Sequence, residues 1–155
     1  MIIVSACLAG INCKYNGGNN LHRDIEKLSS QGKVVLVCPE QLGGCNTPRS
    51  KAEIKGGTGA EVLDGTSKVL REDGEDTTLE FVNGAKEVLK IAQLVGVKKA
   101  ILKAKSPSCG VGTIYDGTFS GKLIAGNGVT AELLCRNGIE ILTEVDYSAN
   151  MDNYL

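Results

Sequence analysis

Short apolar runs alternate with an amphipathic stretch in the first part of the chain. Residues 2–5 and 33–37 are apolar and rich in β-branched side chains, which is typical of buried strands. Between them, apolar side chains recur at helical spacing over residues 21–29, and Gly32 stands where a helix would end. A strand, a helix and a strand in succession form a βαβ unit, which favours a parallel sheet with a right-handed crossover.

A polar stretch with several glycine pairs separates this unit from the longest helical pattern. Residues 52–76 carry valines and leucines among Gly-Gly and Asp-Gly pairs, which predicts a β-hairpin excursion. Thr77, followed by Glu80, matches a capping box, and a helix is predicted from there to Gly96. The apolar stripe of this helix comprises Leu79, Val82, Val88, Leu89, Ile91 and Leu94.

The last third of the chain returns to an alternation of strands and helices. The pattern predicts a strand, a turn-rich excursion, a helix and a strand at 99–103, 114–128, 129–136 and 139–145. No linker-like stretch divides the chain. The predicted fold is a single-domain, Rossmann-like α/β sandwich over residues 1–146, with a mostly parallel central sheet, β-hairpin excursions and a frayed C-terminal tail at 147–155.

Composition, net charge and the length of the apolar runs restrict the classes of protein to which the chain can belong. The chain has 155 residues, 42% of them hydrophobic and 23% charged, with a net charge of −1, so no overall field attracts nucleic acid or an anionic membrane. It shows no leader pattern and no apolar run long enough to span a membrane. We therefore expect a cytoplasmic protein whose six cysteines serve metal binding or chemistry rather than disulfides.

Three of the cysteines follow predicted strands. Cys7 and Cys38 end the first two strands and Cys109 lies just after the third, so the carboxyl edge of a parallel sheet would bring them together. Thiolates suit zinc, copper(I) or iron-sulfur clusters, and the sequence has no Cys-x-x-Cys pair of the kind common in structural zinc sites. A four-iron cluster on three thiolates would leave one iron open as a Lewis acid. A catalytic thiol and plain packing are the alternatives.

The remaining cysteines have other expected roles. Cys135 falls within a helical pattern and is predicted to pack in the core as a small hydrophobic residue. Cys13 is predicted to be a loop thiol rather than a ligand. Cys45 lies in the same loop as Cys38, so position alone does not separate these two as ligands.

Longer motifs favour the cluster. The stretches SACLAGINCKYNGG, VVLVCPEQLGGCNTPR and LKAKSPSCGVGTIYDGTFSG resemble, in their order and loop positions, the thiouracil desulfidase family of bacteria and archaea, over residues 2–145. This resemblance implies a [4Fe-4S] cluster held by Cys7, Cys38 and Cys109, with Cys45 as the alternative to Cys38. It also implies a hydrolytic, non-redox desulfuration in which the fourth iron accepts sulfur from a thiocarbonyl substrate.

The resemblance further implies which side chains handle protons. Glu40 and Ser106 are the catalytic candidates. The alternatives are that Glu40 caps backbone N–H groups and that Ser106 only braces the SPSCG turn. Arg49 is expected to pair with Glu40 or Glu53, and contact with the substrate is the alternative. The glycines expected to bring backbone N–H groups close to the cluster are Gly43, Gly44 and Gly110.

Three functions compete for these residues. The first is [4Fe-4S]-dependent desulfuration of a thiolated nucleobase or similar thiocarbonyl compound, and the second is an iron-sulfur or sulfur carrier without thiobase turnover. The third, a metal-free cysteine enzyme, is disfavoured because the single histidine, His22, lies away from the predicted cysteine edge. An aromatic content of 4% gives no stacking platform for nucleic acid. The expected partner is therefore a small thiolated base or nucleoside, with a thiolated base of tRNA as the less favoured alternative, and the oligomeric state is left open.

Overall fold

The computed structural model describes residues 1–154, with side chains described through residue 152. The strands are β1 Ile2–Ser5, β2 Val34–Val37, β3 Ala52–Lys55, β4 Lys68–Arg71, β5 Lys99–Leu102, β6 Thr113–Tyr115, β7 Leu123–Ala125 and β8 Glu140–Thr143. The helices are α1 Arg23–Ser30, α2 Pro39–Leu42, α3 Gly59–Leu63, α4 Thr78–Val95, α5 Val129–Arg136, α6 Glu144–Ala149 and α7 Met151–Tyr154. A 3-10 turn, Ala6–Ala9, directly follows β1.

The central sheet is parallel, as the sequence predicts. Its strand order is β2-β1-β5-β8, and every neighbouring pair runs in the same direction. Ser5 lies opposite Val37 in the register of β1 and β2, so the residues that follow these two strands leave the sheet side by side. The carboxyl ends of β1, β2 and β5 therefore lie at the same edge of the sheet, and the loops that follow these strands meet there.

Helices cover both faces of this sheet, which makes the domain a sandwich. On one face, Ile3 packs in a core with Val88 of α4 and Leu134 of α5. On the other, the next residue of β1, Val4, packs with Ile25 of α1. The alternation follows from the strand geometry, because successive side chains point to opposite faces.

Both predicted excursions are antiparallel hairpins. β3 pairs with β4 and β6 pairs with β7, and the first hairpin encloses the short helix α3. A second core joins these hairpins to α4 and α5 through Ile54, Phe81, Ile114 and Val129. The hairpins therefore form a wall beside the carboxyl edge of the central sheet.

The described part of the C-terminal segment differs from the frayed tail predicted at 147–155, of which residue 155 lies outside the described residues. Residues 144–149 form α6, and the Tyr147 side chain is only 1% exposed in the core that also holds Val4. A reciprocal capping box between Thr143 and Asp146 starts this helix, which supplies hydrogen-bond partners for two backbone N–H groups. The segment is mostly polar, so its composition did not indicate that Tyr147 packs in the core.

One further expectation about side chains is wrong, and another is wrong in part. Cys135, predicted to be in the core, is exposed on α5. In α4, Leu79 and Leu94 are 69% and 81% exposed, while the buried face instead includes Gly84, Ala85 and Ala92. Val88 is buried as predicted, and Val82, Leu89 and Ile91 pack partly buried against the cores, so the predicted stripe fails only at Leu79 and Leu94. Small side chains occupy part of the buried face because α2 and the central sheet approach it closely, and hydrophobicity alone does not identify them.

Two glycines allow α2 to lie directly against α4. A β-carbon on Gly43 would lie 1.9 Å from the carbonyl oxygen of Glu80, and one on Gly84 would lie 1.9 Å from that of Pro39. Real contacts of a β-carbon are much longer, so neither position accepts a side chain without movement of the backbone. This packing sets the position of the segment between Cys38 and Cys45.

We expect Gly84→Ala to destabilise the protein by about 3 kcal/mol, because the added methyl group forces α2 away from α4. Urea unfolding followed by circular dichroism measures this change. Gly18→Ala is the matched control, since its nearest neighbour is the side-chain oxygen of Asn16 at 3.0 Å, which can rotate away. Equal stability of the two variants would show that α2 moves without cost.

Candidate active site

A cavity of about 440 Å³ opens at the carboxyl edge of the central sheet. It lies between the loops that follow β1, β2 and β5 and the two hairpins, and five of the six cysteines line it. The cysteines that line the cavity are Cys7, Cys13, Cys38, Cys45 and Cys109. All are free thiols, so the parallel sheet gathers soft donors that are far apart in the sequence.

The three cysteines predicted as ligands each come from a different strand end. Cys7 lies in the 3-10 turn after β1, Cys38 precedes the first residue of α2, and Cys109 lies in the loop after β5. Cys7 and Cys38 are half-buried, whereas Cys109 is buried. The structure therefore brings these three thiols to one cavity.

Burial keeps two of these thiols protonated in the metal-free chain. It raises the pKa of Cys109, and the charge of Glu40 raises it further. Burial likewise raises the pKa of Cys7, partly offset by a hydrogen bond from Asn20 and by the charge of Lys103. Because a thiol must lose its proton to bind a metal, metal binding here releases protons and is favoured as the pH rises.

Cys38 differs, because it has a thiol neighbour that the sequence did not indicate. A hydrogen bond from Cys13 lowers the pKa of Cys38 to about 7 and raises the pKa of Cys13. When Cys38 is protonated, its Sγ donates to the Cys13 carbonyl oxygen over 3.7 Å. Cys13 is a loop thiol that is buried beside Cys38, so it is part of the surroundings of the site.

Cys45 occupies a different environment. It is buried in the second core with Ile54 and Phe81, and its Sγ lies 3.8 Å from the hydroxyl of Thr77. Thr77 stands just before α4 but makes no side-chain cap there. The Cys45 side chain is thus part of the packing between the first hairpin and α4.

Glu40 and Arg49 form an ion pair, which is one of the two pairings that the sequence left open for Arg49. A guanidinium nitrogen of Arg49 donates to Glu40 Oε2, and the same nitrogen donates to the Cys13 carbonyl oxygen at 3.0 Å. The Arg49 side chain is 4% exposed and that of Glu40 is 18% exposed. This pairing holds the Glu40 carboxylate at the wall of the cavity, next to the cysteines.

Ser106 braces the turn that carries Cys109. Its Oγ accepts hydrogen bonds from the backbone N–H groups of Ser108 and Cys109, at 3.1 Å and 3.0 Å. Ser106 also lines the cavity. The bracing role is therefore present, and the hydroxyl proton is not used in either of these hydrogen bonds.

The three glycines differ from the expectation that their N–H groups face a cluster. The N–H groups of Gly43, Gly44 and Gly110 donate to the backbone carbonyl oxygens of Pro39, Gln41 and Ser106. Gly43 serves the contact between α2 and α4, and a β-carbon on Gly110 would lie 2.6 Å from the Ser106 carbonyl oxygen. Gly43 and Gly110 therefore allow close packing near the cysteines, whereas Gly44 has open space around it and a left-handed φ of 97°.

Aromatic residues also line the cavity, although the low aromatic content of the chain did not suggest this. The chain has only two phenylalanines and four tyrosines, yet both phenylalanines and two of the tyrosines line this cavity, namely Tyr15, Phe81, Tyr115 and Phe119. Three of them lie in the KYNGG and IYDGTFSG loops, so the aromatic residues of glycine-rich loops were the signal available in the sequence.

His22, the single histidine of the chain, lies outside the cysteine-lined cavity. His22 precedes the first residue of α1 without a side-chain cap, and its Nε2 lies 3.4 Å from the Ser148 hydroxyl. It is not among the residues that line the cavity.

Within the described part of the chain, none of the helices combines the length and apolar character that a membrane crossing requires.

The thiols do not form a site for one metal ion. Among the described residues, no group of three His, Cys, Asp or Glu side chains is placed to bind a single ion. A cluster needs a wider arrangement, because each thiolate binds a different iron atom. Three thiols from three loops around one cavity fit such a group, and the donor set is the one that iron-sulfur clusters use.

Comparison with known proteins agrees with this geometry. An uncharacterized protein of Bacillus subtilis (strain 168), YbbK, is 51% identical over 144 residues, which cover 93% of this chain and 95% of YbbK. The solved structure of TudS, a [4Fe-4S]-dependent thiouracil desulfidase, matches with a TM-score of 0.84 at 39% identity, covering 96% of this chain and 93% of that one. The sequence matches the family of 2-thiouracil desulfurases over residues 2–146. That match includes all the loops that build the cysteine-lined cavity, and the chain belongs to the 2-thiouracil desulfurase family.

Proposed function

We propose that the protein hydrolyses the thiocarbonyl group of a small thiolated nucleobase, with a [4Fe-4S] cluster as cofactor. The observation that carries the proposal is the meeting of Cys7, Cys38 and Cys109 with Glu40 and Ser106 at one cavity. Support comes from TudS, a [4Fe-4S]-dependent thiouracil desulfidase that shares the fold. The reaction exchanges the sulfur of C=S for the oxygen of water and releases hydrogen sulfide, so no external oxidant or reductant takes part.

Cys7, Cys38 and Cys109 would hold the cluster. Cys38 is preferred to Cys45, because Cys7 and Cys38 both act electrostatically on Cys109, whereas Cys45 packs against α4 and the first hairpin. With three protein ligands, the cluster would supply a Lewis acid with affinity for sulfur. Lys103 lies at the same cavity and lowers the pKa of Cys7, so its charge favours thiolates there.

Glu40 would act as the general base. Its carboxylate lies at the cavity wall and is oriented by Arg49, which leaves it able to accept a proton from the attacking water. Ser106 would donate a hydrogen bond from its hydroxyl to the substrate, while its Oγ accepts the backbone N–H groups of Ser108 and Cys109. These two hydrogen bonds therefore hold the Ser106 hydroxyl and Cys109 in the same turn.

Turnover of 2-thiouracil by anaerobically reconstituted protein tests the proposal. We expect loss of the thiocarbonyl absorption, formation of uracil in equal amount, release of sulfide and incorporation of oxygen from isotopically labelled water. Chain incubated without iron is the control and should be inactive. A protein that binds a cluster but leaves 2-thiouracil and related thiobases unchanged would contradict hydrolysis and favour a carrier.

A further inference from the structure

The turn between β6 and β7 carries an aromatic residue at the cavity in an unusual backbone conformation. Phe119 has a φ of 56°, a left-handed value that a bulky side chain rarely adopts. Among the described residues the other non-glycine residue with positive φ is Lys105, and it lines the same cavity. Strain of this kind persists where the surroundings fix the backbone, and it is concentrated at ligand-binding sites.

A buried carboxylate fixes this backbone. Glu53 of β3 is 7% exposed, and its Oε1 accepts hydrogen bonds from the N–H groups of Gly117 at 3.0 Å and Phe119 at 3.2 Å. Burying a carboxylate is costly unless hydrogen bonds compensate. Glu53 therefore ties the turn of the second hairpin to the first hairpin.

The turn is also rigid within itself and lies directly on β3. Asp116 accepts hydrogen bonds from the backbone N–H and the hydroxyl of Thr118, at 2.9 Å and 2.6 Å. A β-carbon on Gly117 would lie 2.4 Å from the carbonyl oxygen of Ile54. With this close contact and the two bonds to Glu53, the position of Phe119 is determined by the fold.

Phe119 differs from an aromatic side chain that only fills the core. Phe81 lines the same cavity but is 3% exposed and packed in the second core. Phe119 is half-buried and is not part of that core. A half-buried aromatic side chain at the wall of a cavity is suited to stack on a planar ring, and such stacking tolerates any flat heterocycle.

We propose that Phe119 is a specificity-determining residue that stacks on the planar ring of the substrate, and that Glu53 is the positioning residue that holds Phe119 in place. This inference rests on the proposed function, which supplies the nucleobase as substrate. It adds that the site selects for a flat ring in addition to a thiocarbonyl group.

Equilibrium binding of uracil and of dihydrouracil, whose ring is not flat, tests this inference by calorimetry on reconstituted protein. We expect uracil to bind more tightly than dihydrouracil, and Phe119→Leu to weaken uracil binding about tenfold while leaving dihydrouracil nearly unchanged. Phe119→Tyr should keep the affinity for uracil. Leu123→Ala, in an exposed residue of the same hairpin, is the matched control and should resemble the unaltered protein.

Glu53 is tested through its effect on Phe119. Glu53→Leu removes the acceptor and should weaken uracil binding as Phe119→Leu does, whereas Glu53→Gln keeps an acceptor oxygen and should restore most of the affinity. The double variant of Glu53→Leu with Phe119→Leu should bind uracil no more weakly than either single variant, because both act through one contact. Additive losses would show a general structural role and overturn the positioning assignment.

The outcomes separate this inference from the proposed function. Desulfuration of 2-thiouracil with the same KM in Phe119→Leu as in the unaltered protein would overturn stacking and leave the function standing. Uracil binding that depends on Phe119, without any turnover, would support stacking while the proposed function fails. Equal effects on uracil and dihydrouracil, or no binding of uracil to the unaltered protein, would also overturn stacking.

Discussion

Cys38→Ala is expected to abolish cluster binding, whereas Cys45→Ala is expected to retain it. Cys38 lies at the end of β2 beside Cys7 and Cys109, and with one thiolate removed the remaining two cannot hold a four-iron cluster of this kind. Cys45 packs in the second core, so its loss leaves a small gap that costs about 1 kcal/mol of stability. Iron content and visible absorption after anaerobic reconstitution measure the difference.

The remaining cysteines supply two further tests of the ligand set and a control. Cys7→Ala and Cys109→Ala should lose iron as Cys38→Ala does, while Cys135→Ala, in an exposed residue of α5, should behave as the unaltered protein. Circular dichroism before reconstitution confirms that each variant is folded. Loss of iron in Cys45→Ala with retention in Cys38→Ala would exchange the two assignments.

Glu40→Gln is expected to lower turnover of 2-thiouracil by about 10²- to 10⁴-fold with the cluster intact, the range typical of a lost general base. Glutamine is the appropriate replacement, because its amide oxygen still accepts a hydrogen bond from Arg49 while it no longer accepts a proton from water. The measurements are kcat and iron content on the same preparation. A variant that keeps its iron and loses turnover separates a chemical role from a structural one.

Glu26→Gln is the control for the charge change, since Glu26 is an exposed residue of α1 and does not line the cavity. It should leave kcat and iron content unchanged. If Glu40→Gln turned over within a few fold of the unaltered protein, the proton acceptor would have to be another group at the cavity. If it lost iron, the pair of Glu40 and Arg49 would serve mainly to build the site.

Local patterns predicted most of the elements. The strand at the start of the chain, the long helix, the short helix at 129–136 and both hairpin excursions are present, because period and turn chemistry act over a few neighbouring residues. The wrong expectations have a common origin. Cys135 is exposed and Tyr147 is buried, and both outcomes depend on what packs against the residue from a distant part of the chain.

Cys7, Cys38, Cys109, Glu40 and Ser106 were singled out by the sequence, since each belongs to a motif at the end of a predicted strand. What the sequence could not show is how they meet and what surrounds them. The thiol of Cys13 lies beside Cys38, and Glu53 holds the turn of Phe119 from another hairpin. Contacts of this kind join residues far apart in the chain, so only the tertiary structure assembles them.

The sequence by itself therefore determined the fold class, the family resemblance and the candidate site residues, because these depend on local periodicity and on motifs within single loops. Only the tertiary structure decided which thiols share a cavity, which glycines serve packing and where the few aromatic side chains gather. The physical reason is that a parallel sheet aligns the carboxyl ends of strands that are distant in the chain. The site is therefore formed at that edge of the sheet, from residues that are not neighbours in the sequence.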